Sequence, residues 1–591
     1  MKRMKIKTLL PAGLVIIAGA VACGKNFLDK PPIGTLTPAV MASKDGVNGL
    51  LIGAYSLLDG EGSAGDGFAS GASNWLWGGV AGDDAYKGSD PSDVADGVGI
   101  ENWTIAPTNG ALTSKWVVYY DGAQRSNDVL RTLKLATDLT AADVTRITAE
   151  AKFLRAFYHL ELKKIFNNII YADETVIPSN NKVSNTVDTW PKIEADLNDA
   201  IAGLPETQSQ PGRVNKWAAK AFLAKALMFQ KKYSAAYTLL KDIIANGKTA
   251  SGSKYALLPH YYSNFNPQQK NSAESVFAAQ TSVQDGSSVA WGGSPNGNYG
   301  DILNFPYNGG PGGCCGFYNP SQDLANAYKT DAAGLPLLDT YFAKPWVSDG
   351  SATPYTGNMD SRVDWAIGRP GKPYLDWGNH PGDAWIRNPG ADGHFSPKKN
   401  VFALAQKNSH TDQGSAYWAP TELTANNVNL IRFADVILWA AECAVDAGDL
   451  AAATTYVNTV RSRAADPTGW VYANSDYDAP NAVYKTQTTA ADNYKVGLYP
   501  TFPDKATATK AVQMERRLEL AMEGHRFFDL VRYGIADVTL NAYNGREKAA
   551  RTYRANSVFT KGKNEYFPIP QSEIDNLNSD GTKRLVQNPG Y

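Results

Sequence analysis

The stretch Met514–Gly534, MERRLELAMEGHRFFDLVRYG, decides how this chain is read. Its first run sets Leu518 and Met522 on one face, with Glu515, Arg516, Arg517, Glu519 and Glu523 beside them, which is amphipathic helical spacing. Gly524 stands where a helix end favours a residue that tolerates positive φ. The second run, His525–Tyr533, gathers Phe527, Leu530 and Val531 near one face, with Arg526, Asp529 and Arg532 around them, and Gly534 stops it. Charge and bulk interleaved this densely predict a helical hairpin packed in the protein body, its charges paired along its margins. His525 reads as a packed histidine bonded to a neighbour.

Other helical patterns flank this one. Pro38–Leu58 and Trp116–Leu135 carry apolar residues at helical spacing. Leu139–Phe166 is the clearest, with Thr140 as N-cap, Asp143 three residues on, and Ile147, Ala151, Leu154, Tyr158, Leu162 and Ile165 on one stripe. Two segments repeat each other. Ala224 and Ala236 are 12 apart, as are Ala441 and Ala453, and Leu240/Ile243 and Val457/Val460 follow at matching offsets. Small residues where antiparallel helices touch, followed by larger ones on the second helix, make a tetratricopeptide-type pattern. Ile243 and Val460 stand where that consensus prefers Ala.

Between the halves the character changes. Ser251–Thr424 holds 15 of the 32 prolines and 6 of the 14 tryptophans, which excludes long helices and implies loops with short strands at most. Its aromatic content predicts that it folds onto the helical frame. Binding residues favour loops held by such a frame, so function is expected here.

The bounds are broad. The chain has 591 residues, 43% of them hydrophobic, enough for a sizeable core in one large domain or two. A net charge of -1 gives no reason to expect a nucleic-acid partner. Lys2, Arg3, Lys5 and Lys7 precede an apolar Leu9–Ala22, too short to span a bilayer, and small residues lead to Cys23. This reads as a signal peptide (1–22) of the lipoprotein type, with Cys23 the expected lipidated residue. Ala20 stands where such signals usually carry Leu, so an ordinary signal peptide cut near Ala22 is the alternative. Only Cys314, Cys315 and Cys443 follow, so there is no disulfide framework. Cys443 reads as a small buried residue. Cys314–Cys315, in GGCCGFYNP, could form a vicinal disulfide or remain two thiols.

The run RRLELAMEGHRFFDLVRYG resembles the signature of the SusD-like (RagB) family of outer-membrane nutrient-uptake lipoproteins. The likeness continues in CGKNFLDKPP after the signal, in AKFLRAFYHLELKKIF, in the loop segments CCGFYNPSQDLANAYKTDAAGLPL and DSRVDWAIGRPGKPYLDWGNHPGDAWIR, and in NEYFPIPQSEIDNLN with LVQNPGY. The resemblance implies a mainly α fold of tetratricopeptide-type helical pairs with a large loop-rich face. It implies a single SusD-like domain over 23–591, with its scaffold at about 38–250 and 425–591 and its ligand-binding loops at about 251–424. It further implies glycan capture and delivery to a SusC-like TonB-dependent transporter, at the outer membrane, lipid-anchored and facing the exterior.

No catalytic constellation stands out. There is no G-x-S-x-G elbow, P-loop, H-E-x-x-H or Rossmann fingerprint. His159 and Glu161 point apart on their helix. His380, His394 and His410 lie in the loop region and read as polar surface, so neither a metal nor a cofactor is assigned. Asp83 and Asp84, adjacent in a loop, diverge too much for an acid/base couple and read better as acceptors for hydroxyls or as a local cation site.

The positive signal is aromatic. Indole and phenol rings offer flat apolar faces that match the C–H faces of sugars, while flanking polar groups fix the hydroxyls. The candidate platforms are Trp75, Trp77, Tyr86, Trp291, Tyr299, Tyr307, Trp377 and Trp385; the candidate polar partners are Asp83, Asp84, Arg369 and Arg387. The Cys314–Cys315 turn is a candidate lip. Two rival readings are an exported glycoside hydrolase and a tetratricopeptide scaffold that binds peptides.

Overall fold

A computed structural model describes residues 40–62, 67–287, 296–414 and 421–591. The signal segment, Cys23 and Trp291 lie outside the described residues.

The frame is helical. Its longer helices are α1 (Lys44–Ser56), α2 (Gly110–Leu133), α3 (Ala141–Phe166), α4 (Trp190–Gly203), α5 (Lys216–Phe229), α6 (Tyr233–Asn246), α7 (Phe433–Asp446), α8 (Leu450–Ala465), α9 (Lys505–Leu520), α10 (Arg526–Tyr533) and α11 (Ala536–Glu547). From α1 to α9 each packs on the next. The start of α3 follows its sequence signal, with Thr140 Oγ1 accepting the Asp143 N–H at 3.1 Å and donating to Asp143 Oδ2 at 2.9 Å. The start of α2 is earlier than the apolar pattern predicts, because Asn109 caps it and accepts the Ala111 N–H. The two repeat segments form α5–α6 and α7–α8, joined through contact of α6 with α7. Ala224, Ala236, Ala441 and Ala453 are completely buried, as small residues at close helix crossings should be.

Residues 251–424 hold short helical turns and strands. Among the described residues there are four two-stranded antiparallel sheets: β1 (Ser275–Ala279) with β6 (Val428–Arg432), β2 (Ile367–Gly368) with β3 (Ser396–Pro397), β4 (Thr411–Gly414) with β5 (Thr421–Thr424), and β7 (Tyr477–Asp478) with β8 (Val483–Tyr484). β6 leads directly into α7, so β1 and β6 tie this region to the frame.

The opening stretch forms two helices joined by a turn, a hairpin with two differences from the expected one: α9 packs on α7 and α8 more than on α10, and it ends early. α9 ends at Leu520 rather than at Gly524, and Met522 (φ 63°) and Gly524 (φ 71°) make a tight left-handed turn. The turn is pressed against another loop. A Cβ on Gly524 would lie 2.0 Å from the Ser73 carbonyl oxygen, and one on Gly78 would lie 1.7 Å from that of Gly524. Gly534 ends α10 in the left-handed region, its N–H reaching the Leu530 carbonyl.

The hairpin's charges are buried and paired. Glu519 receives Arg362 and Arg432 at 2.9 and 2.5 Å, and also Arg463. Glu515 receives Arg362 and Arg461 at 2.7 and 2.8 Å. Arg432 and Arg463 also hold Glu274, the residue before β1, at 3.0 and 2.6 Å. Arg516 binds Asp435 of α7 and Asp529 of α10. Desolvation makes such pairs weak net stabilisers, but breaking one strands a buried charge. The lattice therefore fixes register between α8, α9, β1, β6 and the 360–362 turn.

Candidate functional site

The structure separates the sequence candidates into three groups. The first is core. Trp75 and Trp77 are 1% exposed, and their indole N–H groups donate to the Phe68 and Ala69 carbonyls at 2.9 and 2.7 Å. Tyr86 is fully buried, its hydroxyl donating to Glu547 at 2.8 Å, with the Arg551 guanidinium 4.1 Å over its ring.

Asp83 and Asp84 face the signature hairpin instead of solvent. Arg526 grips Asp83 with two bonds of 2.7 and 3.0 Å, and Arg517 Nε donates to Asp84 at 2.9 Å. Burial alone would raise the Asp83 carboxyl; the Arg517 and Arg526 guanidiniums outweigh it and hold the group below its usual range. Arg369 is clamped by Asp364 at 2.8 and 2.6 Å and by Asp492 at 2.8 Å, also buried. Trp75, Trp77, Tyr86, Asp83, Asp84 and Arg369 are therefore corrected from ligand contacts to structural residues. Each has a protein partner that the sequence spacing did not reveal.

The second group is scattered. Trp377 is half-buried, donates its N–H to the Phe402 carbonyl at 2.9 Å and packs edge-on against that ring. Tyr299 is half-buried beside Gly67, on whose Cβ position its ring closes to 2.6 Å.

The third group comes together. Tyr307 is half-exposed, and its N–H donates to the Trp385 carbonyl at 2.9 Å. The exposed Arg387 places its guanidinium 5.5 Å from the Tyr307 ring centroid. Arg387 is itself held by the Ser89 hydroxyl at 2.8 Å and Asp93 at 2.6 Å. Trp385 is 9% exposed and backs the loop: a Cβ on Gly310 would lie 3.2 Å from its indole. Behind Trp385, Tyr374 and His380 pack edge-on, with ring centroids at 5.3 and 5.2 Å. Burial, with the Lys398 charge adding to it, pushes His380 down to about 3, so the ring is neutral. Its Nδ1 accepts the Gly382 N–H, which leaves Nε2–H to donate to Ser396 Oγ at 2.8 Å.

Cys314 and Cys315 are disulfide-bonded, Cys314 half-buried and Cys315 in the core. The next residue, Gly316, abuts this same rim. The rim thus offers an aromatic face and a guanidinium whose charge Asp93 balances, which suits a neutral hydroxylated ligand.

Sequence reasoning missed Ser89 and Asp93, nearly 300 residues from Arg387, because nothing local marks them. It also missed a cleft of ≈ 530 Å³ bordered by Tyr55, Leu57, Asp59, Glu61, Arg125 and Arg213. Burial pushes Asp59 up to about 7, and burial with the Asp59 charge does the same to Glu61. None of the candidate aromatics among the described residues lines this cleft. His380, His394 and His410 do not converge; they bond Ser396, Asp383 and Ser409 respectively. Among the described residues, no group of three or more His, Cys, Asp or Glu side chains is placed to hold a metal ion. No helix among them is long and apolar enough to cross a membrane.

The fold and this rim define a class: a tetratricopeptide-type helical frame that carries an aromatic loop face. The SusD family model matches residues 273–591, more than half of the chain, and a model described as starch-binding associating with outer membrane matches residues 81–228. The chain belongs to the SusD family. SusD-like protein P25 of Formosa agariphila is 24% identical over 557 residues, covering 90% of each chain. A SusD-like protein of Bacteroides ovatus is 27% identical over 179 residues, 29% of this chain and 33% of the relative. Among solved structures, a laminarin binding SusD-like protein superposes with TM-score 0.64 at 24% identity, covering 93% of this chain and all of that one. Surface glycan-binding protein A of Bacteroides thetaiotaomicron, in complex with laminarihexaose, superposes with TM-score 0.63 at 22% identity, covering 92% and 99%.

Proposed function

We propose that this protein captures oligo- or polysaccharide at the cell surface and passes it to a SusC-like TonB-dependent transporter, without covalent chemistry. The observation that carries the reading is the Tyr307–Arg387 rim. It is a half-exposed ring stacked under an exposed guanidinium, on a loop backed by Trp385. A sugar face can lie on the phenol while Arg387 donates to its hydroxyls. Membership of the SusD family, and the laminarin and laminarihexaose named for two proteins of the same fold, support a glycan as ligand. The family model that names outer-membrane association supports the location. In this reading Cys23 carries the lipid that holds the protein at the outer membrane, facing outward, and residues 23–591 act as one SusD-like domain.

Binding without turnover is also what the charges at the rim favour. Asp93 is committed to Arg387, and Asp383 to His394 at 2.7 Å. The test is affinity electrophoresis of the mature protein over a panel of polysaccharides, with product analysis of the same mixtures. Retardation by at least one glycan with no released sugar is the expected result. Released oligosaccharides would establish an enzyme instead.

A further inference from the structure

We infer that the Cys314–Cys315 disulfide is the positioning element of the Tyr307–Arg387 rim, so that ligand binding depends on its oxidation state; this rests on the glycan-binding reading above. The loop around it is held by backbone hydrogen bonds, among them the Gly313 N–H to the Gly310 carbonyl at 3.2 Å and the Cys315 N–H to the Leu303 carbonyl at 3.4 Å, with few side chains of its own. Gly309, Gly312, Gly313 and Gly316 all have positive φ, and glycines bring no side chains to pack. Cys315 is the loop's anchor, 4% exposed and within the core beside Phe317. Cys314 is half-buried at the surface. The disulfide closes a ring across the peptide bond between these neighbours and so restricts the outer residue's torsions against the anchored one.

The anchor transmits directly to the ligand groups. The Gly316 N–H donates to the Phe305 carbonyl at 2.8 Å, and the Gly316 carbonyl accepts the Ser89 N–H at 2.6 Å. A Cβ on Gly316 would lie 3.2 Å from Tyr307 Cβ and 3.6 Å from Arg387 Cβ. Ser89 in turn holds Arg387 through its hydroxyl. One strut, Cys315–Gly316, therefore lies against the Cβ atoms of Tyr307 and Arg387 and holds Ser89, the residue that orients the guanidinium.

A small dithiol supplies the reducing equivalents. Its two thiols deliver two electrons and two protons to the two cysteine sulfurs, the S–S bond breaks, and the reagent closes to its own cyclic disulfide. Cys314 and Cys315 are then free thiols with independent backbone torsions, and the strut loosens. Among the described residues the other cysteine, Cys443, is a buried thiol on α7 of the helical frame and does not exchange with them.

The experiment uses the mature protein with laminarin as probe, before and after dithiothreitol, with alkylation and mass spectrometry confirming two new thiols at 314 and 315. Reduction is expected to weaken binding by about tenfold, with recovery on reoxidation. Amide exchange is expected to rise at Ser89, Tyr307 and Gly316 and stay unchanged in α3 and α9. The variant Cys314→Ser/Cys315→Ser should bind as weakly as the reduced protein and ignore dithiothreitol. Complete reduction with unchanged laminarin affinity overturns the proposal. If the oxidised protein does not bind laminarin, the reading of the rim as a site for that glycan fails first. Exchange then decides the strut separately: lost protection at those three amides upholds it, and unchanged protection overturns it.

Discussion

The loop that carries Trp75, Trp77 and Asp83–Asp84 and the loop that carries Tyr307 and Cys314–Cys315 are alike in sequence. Both are rich in glycine, aromatic rings and polar side chains. They end in opposite places. The first is sealed under the signature hairpin, where Arg517 and Arg526 take its carboxylates and Gly524 presses on its backbone. The second meets its arginine, Arg387, at the surface, and its ring stays half open. The lesson is that aromatic density marks a loop that must pack on something. Whether that something is protein or ligand depends on where its charged partners come from.

Breaking the sealed side should cost most. Glu519→Ala leaves Arg362, Arg432 and Arg463 around an empty buried position. It should destabilise by about 5 kcal/mol or prevent folding, read by chemical denaturation. Trp77→Ala should cost about 4 kcal/mol from the lost core volume, and the protein that remains folded should hold its glycan as tightly as wild type. Weakened binding at normal stability would return Trp77 to the site.

Acid probes the same lattice. Burial raises Glu523, but Arg432 and then Lys399 outweigh it and hold the group at about 2. Its folded pKa lies below its unfolded value, so its contribution is complete above the unfolded pKa of about 4.3. It is lost as pH falls through the folded value, about 3 kcal/mol in all. The Glu523 contribution to unfolding free energy should therefore be steady from neutrality to about pH 5 and fall steeply below. Glu523→Gln should flatten that fall. An unchanged acid limb in the variant would detach Glu523 from it.

The open side inverts the pattern. Tyr307→Ala should cost about 1–2 kcal/mol of glycan affinity and less than about 0.5 kcal/mol of stability. Trp377→Ala, at the margin, should change affinity by under about 1 kcal/mol. Equal losses from both would enlarge the site to include the Phe402 side of the face.

Much of the frame was legible from residue spacing. Thr140 and Asp143 announced the start of α3, and the 12-residue Ala offsets announced both helical pairs, because caps and close crossings depend on neighbours in sequence. The charge pairing of Met514–Gly534 could be anticipated, but not its partners. Asp83, Asp84 and Arg362 lie about 150 to 440 residues away, and no periodicity connects them. The same distance hid Ser89 and Asp93 from Arg387. Trp75 and Trp77 misled because an indole that stacks on sugar and one that fills a core have the same composition around them. Tyr307, Arg387 and the cysteine turn were within reach only as members of a longer candidate set.

The most direct test of this division is a calorimetric titration of Tyr307→Ala/Arg387→Ala with the polysaccharide that wild type binds best, alongside its unfolding midpoint. The account predicts a wild-type midpoint with affinity reduced by about tenfold or more. Wild-type affinity in a fully folded double variant would contradict it and place the ligand elsewhere on the molecule.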